Sequence, residues 1–147
     1  MSRPRAPFRA DQVGSLLRTD AVRAARAKHA AGQFDDAALQ AVEDESIREI
    51  VATQEAIGLQ DVTDGEQRRS WWHFDFLAAL DGVDLVRGEK PIQFAGVQTK
   101  PESIAVTGRV DFPDDHPMLD HFRYLASVTS VTPKMTIPSP TVLHFRG

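Results

Sequence analysis

The sequence predicts an α/β protein in which helices alternate with the strands of a parallel sheet. An amphipathic helix is expected from about residue 36 to residue 57, and Gly58 follows it as a natural C′ residue. A short apolar run then leads into the polar turn Asp64-Gly65-Glu66, which is the order found in half of a βαβ unit. We therefore expect the segments around Val13 and Val62 to be parallel neighbours in one sheet.

Composition limits the class of protein. The chain has 147 residues, 41% of them hydrophobic and 26% charged, which suits one globular domain with a core. Its net charge of -4 argues against nucleic acid or an anionic membrane as the partner. The absence of cysteine excludes disulfides and thiolate zinc ligands from this chain. Neither a secretory signal nor an apolar span of about 20 residues is seen, so a cytoplasmic location is expected.

Capping residues predict where the first two helices begin. Thr19 or Asp20 is expected to cap a helix over Ala21–Ala31, and Asp35 or Asp36 to cap the longer helix. The longer helix has an apolar face at a spacing of three and four residues. Its inward positions are predicted to be Leu39, Val42, Ser46, Ile50, Gln54 and Ile57, with Ile47 and Val51 beside them.

The middle of the chain changes character after a short predicted helix at His73–Leu80. Residues 84–112 alternate loosely and contain several glycines and prolines. Two runs within them, Pro91–Val97 and Ser103–Val110, are rich in β-forming residues. We expect a β-hairpin inserted between core elements.

The last third predicts a helix, a strand and the start of another helix. These are His116–Val128, Lys134–Pro138 as a third core strand, and a helix that Ser139 caps with Pro140 at its first position. The sequence given ends at Gly147, less than two turns into that helix. Three parallel strands do not make a closed core, so we expect the front part of a larger domain.

The charged turn after the second predicted strand is the first candidate site. Asp64 and Glu66 lie just beyond the carboxyl end of that strand, where α/β folds place their ligands. A carboxylate there can hold an ammonium group, and the guanidinium of Arg68 or Arg69 can hold a carboxylate. The alternative is that these are ordinary surface ion pairs.

A second candidate lies at Gly14 and Ser15, after the first predicted strand. Backbone amides and a hydroxyl at that turn could receive a carboxylate or a phosphate, although a Gly-Ser pair is more often simply a turn. Trp71 and Trp72 could wall a flat ligand, or equally belong to the core or to a subunit contact.

Other chemistry has little support in the sequence. His116 and His121 are five residues apart and no HxH or HExxH spacing appears, so we predict no metal site made by this chain alone. No Gly-rich phosphate loop and no nucleophile elbow is present. We assign no catalytic residue.

Several strings resemble the cobalamin-independent methionine synthase family. They are FRADQVGSLLR, AVEDESIREIV, DVTDGEQRRSWW and VTPKMTIPSPTVLHFR, and they follow in the right order along nearly the whole chain. The similarity is to short, single-barrel members that correspond to the catalytic C-terminal domain of the longer enzyme. It implies a TIM (β/α)8 barrel, which needs about 250 residues. Residues 1–147 would then be a partial barrel domain of about three βα units with a β insertion at 84–112.

The resemblance also implies an activity and site residues. Family members transfer a methyl group from a folate, or another donor, to a thiol such as homocysteine, which a zinc ion holds as thiolate. Gly14 and Ser15 match the turn that holds the homocysteine carboxylate. Glu66, in Asp64-Gly65-Glu66, matches the acid that grips the amino group. The family's zinc ligands are a histidine, cysteines and an acid in the second half of the barrel, so we expect this chain to be inactive alone.

Two alternatives stay open. Related barrels act on coenzyme M or on uroporphyrinogen, and fold alone does not separate these substrates. The chain could instead be a non-catalytic partial-barrel module, because an open parallel sheet exposes unpaired edges. We expect a homo-oligomer or a complementing second half as partner, with no nucleic acid and no membrane.

Overall fold

The computed structural model describes residues 11–87, 93–94, 97–98 and 102–146. It is a mixed α/β protein whose residues cluster into two units. The first unit comprises the described residues up to Arg69 together with Asp120–Thr136, and the second comprises Ser70–Leu119 and the residues from Ile137 onward. In the part of the chain described, no helix has both the length and the apolar character needed to cross a bilayer.

Five helices and six strands are described. The helices are α1 (Asp20–Ala30), α2 (Asp36–Ala56), α3 (Phe74–Leu77), α4 (Pro117–Val128) and α5 (Pro140–Arg146). The strands are β1 (Asp61–Val62), β2 (Asp81–Arg87), β3 (Gln93–Phe94), β4 (Val97–Gln98), β5 (Glu102–Asp111) and β6 (Thr132–Pro133).

The first two helices begin where their capping residues predicted. The Thr19 hydroxyl accepts a hydrogen bond from the amide of Val22, and the Asp35 carboxylate accepts one from the amide of Ala38 at 2.8 Å. The buried positions of α2 are Glu43, Ser46, Ile47, Val51 and Gln54. The predicted inward position of Ile57 is wrong. Its side chain is 72% exposed because α2 ends one residue before it.

Apolar side chains and one parallel strand pair build the first unit. Ile47, Val51, Val62 and Leu125 form its buried cluster. β1 pairs in parallel with β6, Asp61 opposite Thr132 and Val62 opposite Pro133. Polar residues follow each strand of this pair, Asp64 and Glu66 after β1 and Thr136 after β6.

The predicted pairing of the Val13 segment with the Val62 segment is not found from residue 11 onward, and the start of that segment, residues 8–10, lies outside the described residues. Residues 11–19 contain no strand. Side chains donate hydrogen bonds to backbone carbonyls of this segment. Gln12 Nε2 donates to the Ser15 carbonyl at 3.0 Å, and Arg18 Nη1 donates to the Leu16 carbonyl at 2.9 Å. The segment nevertheless lies beside the end of β1, where the amide of Leu16 donates to the Gly65 carbonyl at 3.0 Å.

The third strand lies earlier in the chain than the predicted Lys134–Pro138. Strand pairing covers Thr132–Pro133, after which the amide of Lys134 still donates to the Val62 carbonyl at 2.9 Å. Beyond that point the guanidinium of Arg69 donates a hydrogen bond to the Thr136 carbonyl at 2.6 Å. Past the paired residues, a side chain and not a strand therefore donates to this carbonyl.

The second unit is built on antiparallel strands. β2 pairs with β5, with Val83 opposite Val106 and Leu85 opposite Ile104, and β3 pairs with β4. The core of this unit consists of Phe74, Leu77, Val83, Ile104 and Val142. The predicted run Pro91–Val97 lies partly outside the described residues. The hairpin begins at Asp81, and its description as an insertion at 84–112 stays a prediction.

Glu55, near the end of α2, ties that helix to the segment before β6. Its Oε1 accepts from the Thr129 hydroxyl at 2.6 Å and from the amide of Ser130 at 2.7 Å, and its Oε2 accepts from the Ser130 hydroxyl at 3.1 Å. These hydrogen bonds, that of Thr129 foremost, lower the pKa of Glu55.

The lowered pKa of Glu55 predicts a pH-dependent contribution to stability. A carboxyl whose folded pKa is depressed stabilises the protein above its unfolded pKa, about 4.3, and loses that effect as pH falls through the folded pKa. Glu55→Gln should therefore lower the free energy of unfolding at pH 7, and the difference from wild type should shrink below about pH 4. Urea unfolding across this pH range measures it. Glu49→Gln, at an exposed site of α2, is the control. A difference that does not change with pH would contradict the prediction.

Candidate functional site

The turn after β1 is buried and has an unusual backbone. Gly65 and Glu66 both lie in the left-handed region, with φ of 64° and 55°. Asp64 and Glu66 are buried, 3% and 6% exposed. The Asp64 carboxylate accepts from the amide of Glu66 at 2.9 Å, and the Thr63 hydroxyl accepts from that of Gly65 at 3.2 Å. A non-glycine residue in this region costs about 1–2 kcal/mol, and such residues cluster at functional sites.

Gly14 lies directly against the Glu66 side chain. A Cβ atom at Gly14 would be 2.8 Å from the Thr136 hydroxyl oxygen, closer than a side chain can pack, and at a tight 3.1 Å from Glu66 Oε1. The Thr63 hydroxyl donates to the Gly14 carbonyl at 2.9 Å, which fixes this approach. The structure thus brings together the glycine turn and the acid that were singled out separately in the sequence.

Ser15 is exposed beside this contact. Its hydroxyl oxygen accepts a hydrogen bond from Arg18 Nη1 at 2.9 Å. Because the oxygen is used as an acceptor, the hydroxyl proton is available for an anionic ligand. Burial lowers the pKa of the Arg18 guanidinium, which still remains charged at neutral pH.

The Glu66 carboxylate is paired inside the unit. Its Oε1 accepts from the Thr136 hydroxyl at 2.9 Å and from Arg69 Nη1 at 3.3 Å. Arg69 also donates to Met135 Sδ at 3.0 Å and to the Thr136 carbonyl. The sequence pattern did not single out Thr136, because it lies 70 residues from Glu66 and stands between the uncharged Met135 and Ile137.

Arg68 does not serve the ligand role considered for it. Its guanidinium pairs with Asp44 and lies 3.6 Å from Glu43 Oε2, and it lies over the Tyr124 ring at 5.1 Å. Burial raises the pKa of Glu43, while the charges of Arg26 and Arg68 oppose that rise. Arg68 is therefore committed to joining the turn to α2 and α4.

The tryptophan pair belongs to the second unit. Trp71 packs against the core of that unit, and its indole N–H donates to Glu102. Trp72 is 49% exposed and stacks on His73 with ring centroids 4.4 Å apart. Trp71 is thus a core residue, whereas Trp72 keeps an exposed ring.

The side chains of this chain do not fit a thiolate zinc site. The sequence contains no cysteine. Within residues 11–87, 93–94, 97–98 and 102–146, no three His, Asp or Glu side chains are grouped so that they could hold a metal ion. No step of chemistry is therefore assigned to a metal held by these residues.

The chain is an α/β protein with a parallel strand pair, β1 and β6. A buried acid, Glu66, lies in the glycine turn that follows β1, so the polar site is at the carboxyl end of this strand. Residues 8–137 match the family described as "cobalamin-independent synthase, catalytic domain". The chain belongs to this family.

Individual relatives agree with that assignment. The chain is 53% identical over 148 residues to YxjG, an uncharacterized protein of Bacillus subtilis, and spans 39% of its length. It is 29% identical over 132 residues, 89% of this chain and 17% of the relative, to a 5-methyltetrahydropteroyltriglutamate–homocysteine methyltransferase of Aeromonas salmonicida. It is also similar to a crystal structure described as the "Putative Vitamin-B12 Independent Methionine Synthase" of Listeria monocytogenes. That match has a TM-score of 0.78 and 42% identity, and covers 97% of this chain and 39% of the other.

Gly14→Ala should destabilise the first unit. The added methyl group meets the Thr136 hydroxyl and the Glu66 carboxylate at less than contact distance, and overpacking of this kind costs about 1–3 kcal/mol. Urea unfolding should show a lower free energy of unfolding. Gly108→Ala is the matched control, because a Cβ there meets its nearest atom at an ordinary 3.5 Å. Equal stability of the two variants would contradict the packing described.

Proposed function

We propose that this chain supplies the amino-acid-binding part of a methyltransferase that converts homocysteine to methionine. The observation that carries the proposal is the contact of the buried Glu66 carboxylate with Gly14, beside the exposed Ser15. Membership of the cobalamin-independent synthase family supports the reaction class. The name of the Aeromonas relative, 5-methyltetrahydropteroyltriglutamate–homocysteine methyltransferase, supports homocysteine as the thiol and a methylated folate as the donor.

The two ends of the amino acid are bound by different groups in this proposal. Glu66 accepts from the ammonium group, because an ionised carboxylate has about four lone-pair sites and the two bonds at Oε1 leave acceptor capacity. The hydroxyl proton of Ser15, which Arg18 leaves available, donates to the substrate carboxylate. Asp64 acts indirectly by holding the amide of Glu66.

The role of the chain is to bind and orient the substrate. Alignment of a bound reactant lowers the barrier of a transfer reaction by avoiding the entropy of a bimolecular encounter. The family resemblance implies that zinc would keep the homocysteine sulfur as thiolate. The side chains described here do not fit that ion, so we propose that this chain alone does not transfer methyl groups.

We further propose that the chain forms part of a (β/α)8 barrel. Support comes from the parallel pair β1–β6, with the β2–β5 hairpin and α4 between the two strands in sequence. Barrels of this class need about 250 residues. In the proposal, further barrel units come from a longer polypeptide, from a second copy or from a complementing chain.

Calorimetric titration of the 147-residue chain tests the substrate class. We expect L-homocysteine to bind more tightly than 4-mercaptobutyrate, which keeps the thiol and the carboxylate but lacks the ammonium group. Coenzyme M, which also lacks an ammonium group, should bind weakly. Tighter binding of coenzyme M than of homocysteine would favour the related thiol methyltransferases instead.

Glu66→Gln should remove the preference for the ammonium group. A hydrogen bond to a charged group contributes about 1.5–3 kcal/mol, so homocysteine affinity should fall about tenfold or more. The affinity for 4-mercaptobutyrate should stay nearly unchanged. Glu49→Gln, at an exposed glutamate of α2, is the matched control and should bind like wild type. Equal homocysteine binding by wild type and Glu66→Gln would refute the role of Glu66.

A further inference from the structure

We propose that Thr136 is a positioning residue that orients the Glu66 carboxylate toward the ammonium group of the substrate. This inference rests on the proposed function and adds to it a residue that acts through Glu66. Thr136 lies three residues after β6, and Glu66 lies four residues after β1, the strand that pairs with β6.

The first support is the hydrogen bond itself. The Thr136 hydroxyl donates to Glu66 Oε1 at 2.9 Å, which is shorter than the 3.3 Å from Arg69 Nη1 to the same oxygen. The terminal torsion of a glutamate is broad, so a lone carboxylate can rotate. A donor on one oxygen restricts that rotation and sets the direction of the remaining lone pairs.

The second support is the packing around the bond. A Cβ at Gly14 would lie 2.8 Å from Thr136 Oγ1, 3.0 Å from Thr136 Cγ2 and 3.1 Å from Glu66 Oε1. The hydroxyl, the methyl group and the carboxylate therefore all border the space that a side chain at Gly14 would occupy. This confines the Thr136 side chain as well as the acid that it holds.

The backbone of Thr136 is held independently of its side chain. Arg69 Nη2 donates to the Thr136 carbonyl at 2.6 Å and to Met135 Sδ at 3.0 Å. Removal of the hydroxyl should leave these contacts in place. A conservative substitution at Thr136 therefore tests the hydroxyl alone.

The chemical reason for a hydroxyl at this position is its neutrality. The guanidinium of Arg69 carries the same charge as the substrate's ammonium group, so the two cations compete for the Glu66 carboxylate. A threonine hydroxyl can hold one carboxylate oxygen without repelling the ligand. Without it, we expect Glu66 to turn toward Arg69 and to present less of its charge to the substrate.

Thr136→Val and Thr136→Ser separate the hydroxyl from the shape of the side chain. Valine keeps the branched shape and loses the donor, whereas serine keeps the donor. We expect Thr136→Val to weaken L-homocysteine binding about fivefold, which corresponds to about 1 kcal/mol for one hydrogen bond. Thr136→Ser should restore affinity to near the wild-type value. The measurement is calorimetric titration of the 147-residue chain.

The second measurement is selectivity, the ratio of the affinities for L-homocysteine and 4-mercaptobutyrate. A purely structural role of Thr136 would not change this ratio. Thr136→Val should leave the affinity for 4-mercaptobutyrate nearly unchanged, because that ligand has no ammonium group to place. Thr132→Val, at an exposed threonine of β6, is the matched control and should retain full selectivity. Urea unfolding of each variant establishes that the compared proteins are folded.

The outcomes distinguish this inference from the proposed function. Wild-type selectivity retained in Thr136→Val overturns the positioning role and leaves the proposed function intact. An equal loss of affinity for both ligands, or no rescue by serine, also overturns the role, since it indicates general damage to the site. A wild-type chain that does not prefer homocysteine over 4-mercaptobutyrate overturns the proposed function, and the inference with it.

Discussion

The buried carboxylate of Glu66 is the constraint on which the first unit depends. A buried charge is tolerated only when it is paired and hydrogen-bonded, so its neighbours must meet it at fixed positions. Arg69 supplies the counter-charge and Thr136 a hydroxyl, while Gly14 supplies the space that any side chain would fill. These residues come from three separate segments. The acid therefore fixes how those segments are arranged at the end of β1.

A layer of polar contacts beneath the acid holds its turn in place. The Gln54 side chain pairs with both the amide and the carbonyl of Thr63, at 3.0 and 2.9 Å. Arg18 and Arg26 both donate to the Arg69 carbonyl, at 3.1 and 3.0 Å. Side chains from α1, from α2 and from the segment before α1 thus satisfy backbone groups of the turn, as buried loops require. This explains how a non-glycine residue persists with positive φ at Glu66.

The proposed function rests on what a buried carboxylate can do that an apolar residue cannot. A carboxylate held in a set direction discriminates an ammonium group from its absence, because an unpaired buried charge is costly. A glycine turn with an exposed serine beside it offers donors for the opposite end of an amino acid. In the proposed function, membership of the cobalamin-independent synthase family connects this arrangement with methyl transfer to a thiol. Binding and orientation are the part of that reaction to which these residues are suited.

Local sequence determined those features that depend on neighbouring residues. Thr19, Asp35 and Pro140 set where three helices begin, since caps and the first helical position act within one turn. Loose alternation and turn residues indicated an antiparallel β segment, but not that its long strand β5 pairs with β2 at Asp81–Arg87. Glu66 and Gly14 were singled out by their positions after predicted strands, although the Gly14 segment proved not to be a strand.

Only the tertiary structure decided which distant side chains meet. The bond from Thr136 to Glu66 joins residues 70 apart, and Arg68, which the sequence offered as a partner for a ligand carboxylate, pairs with Asp44 of α2 instead. Side-chain donors also replaced strand pairing in residues 11–19 and beyond Lys134. Such choices depend on competition among hydrogen-bond partners brought together by folding. Periodicity and capping patterns carry no record of that competition, because they describe each segment by itself.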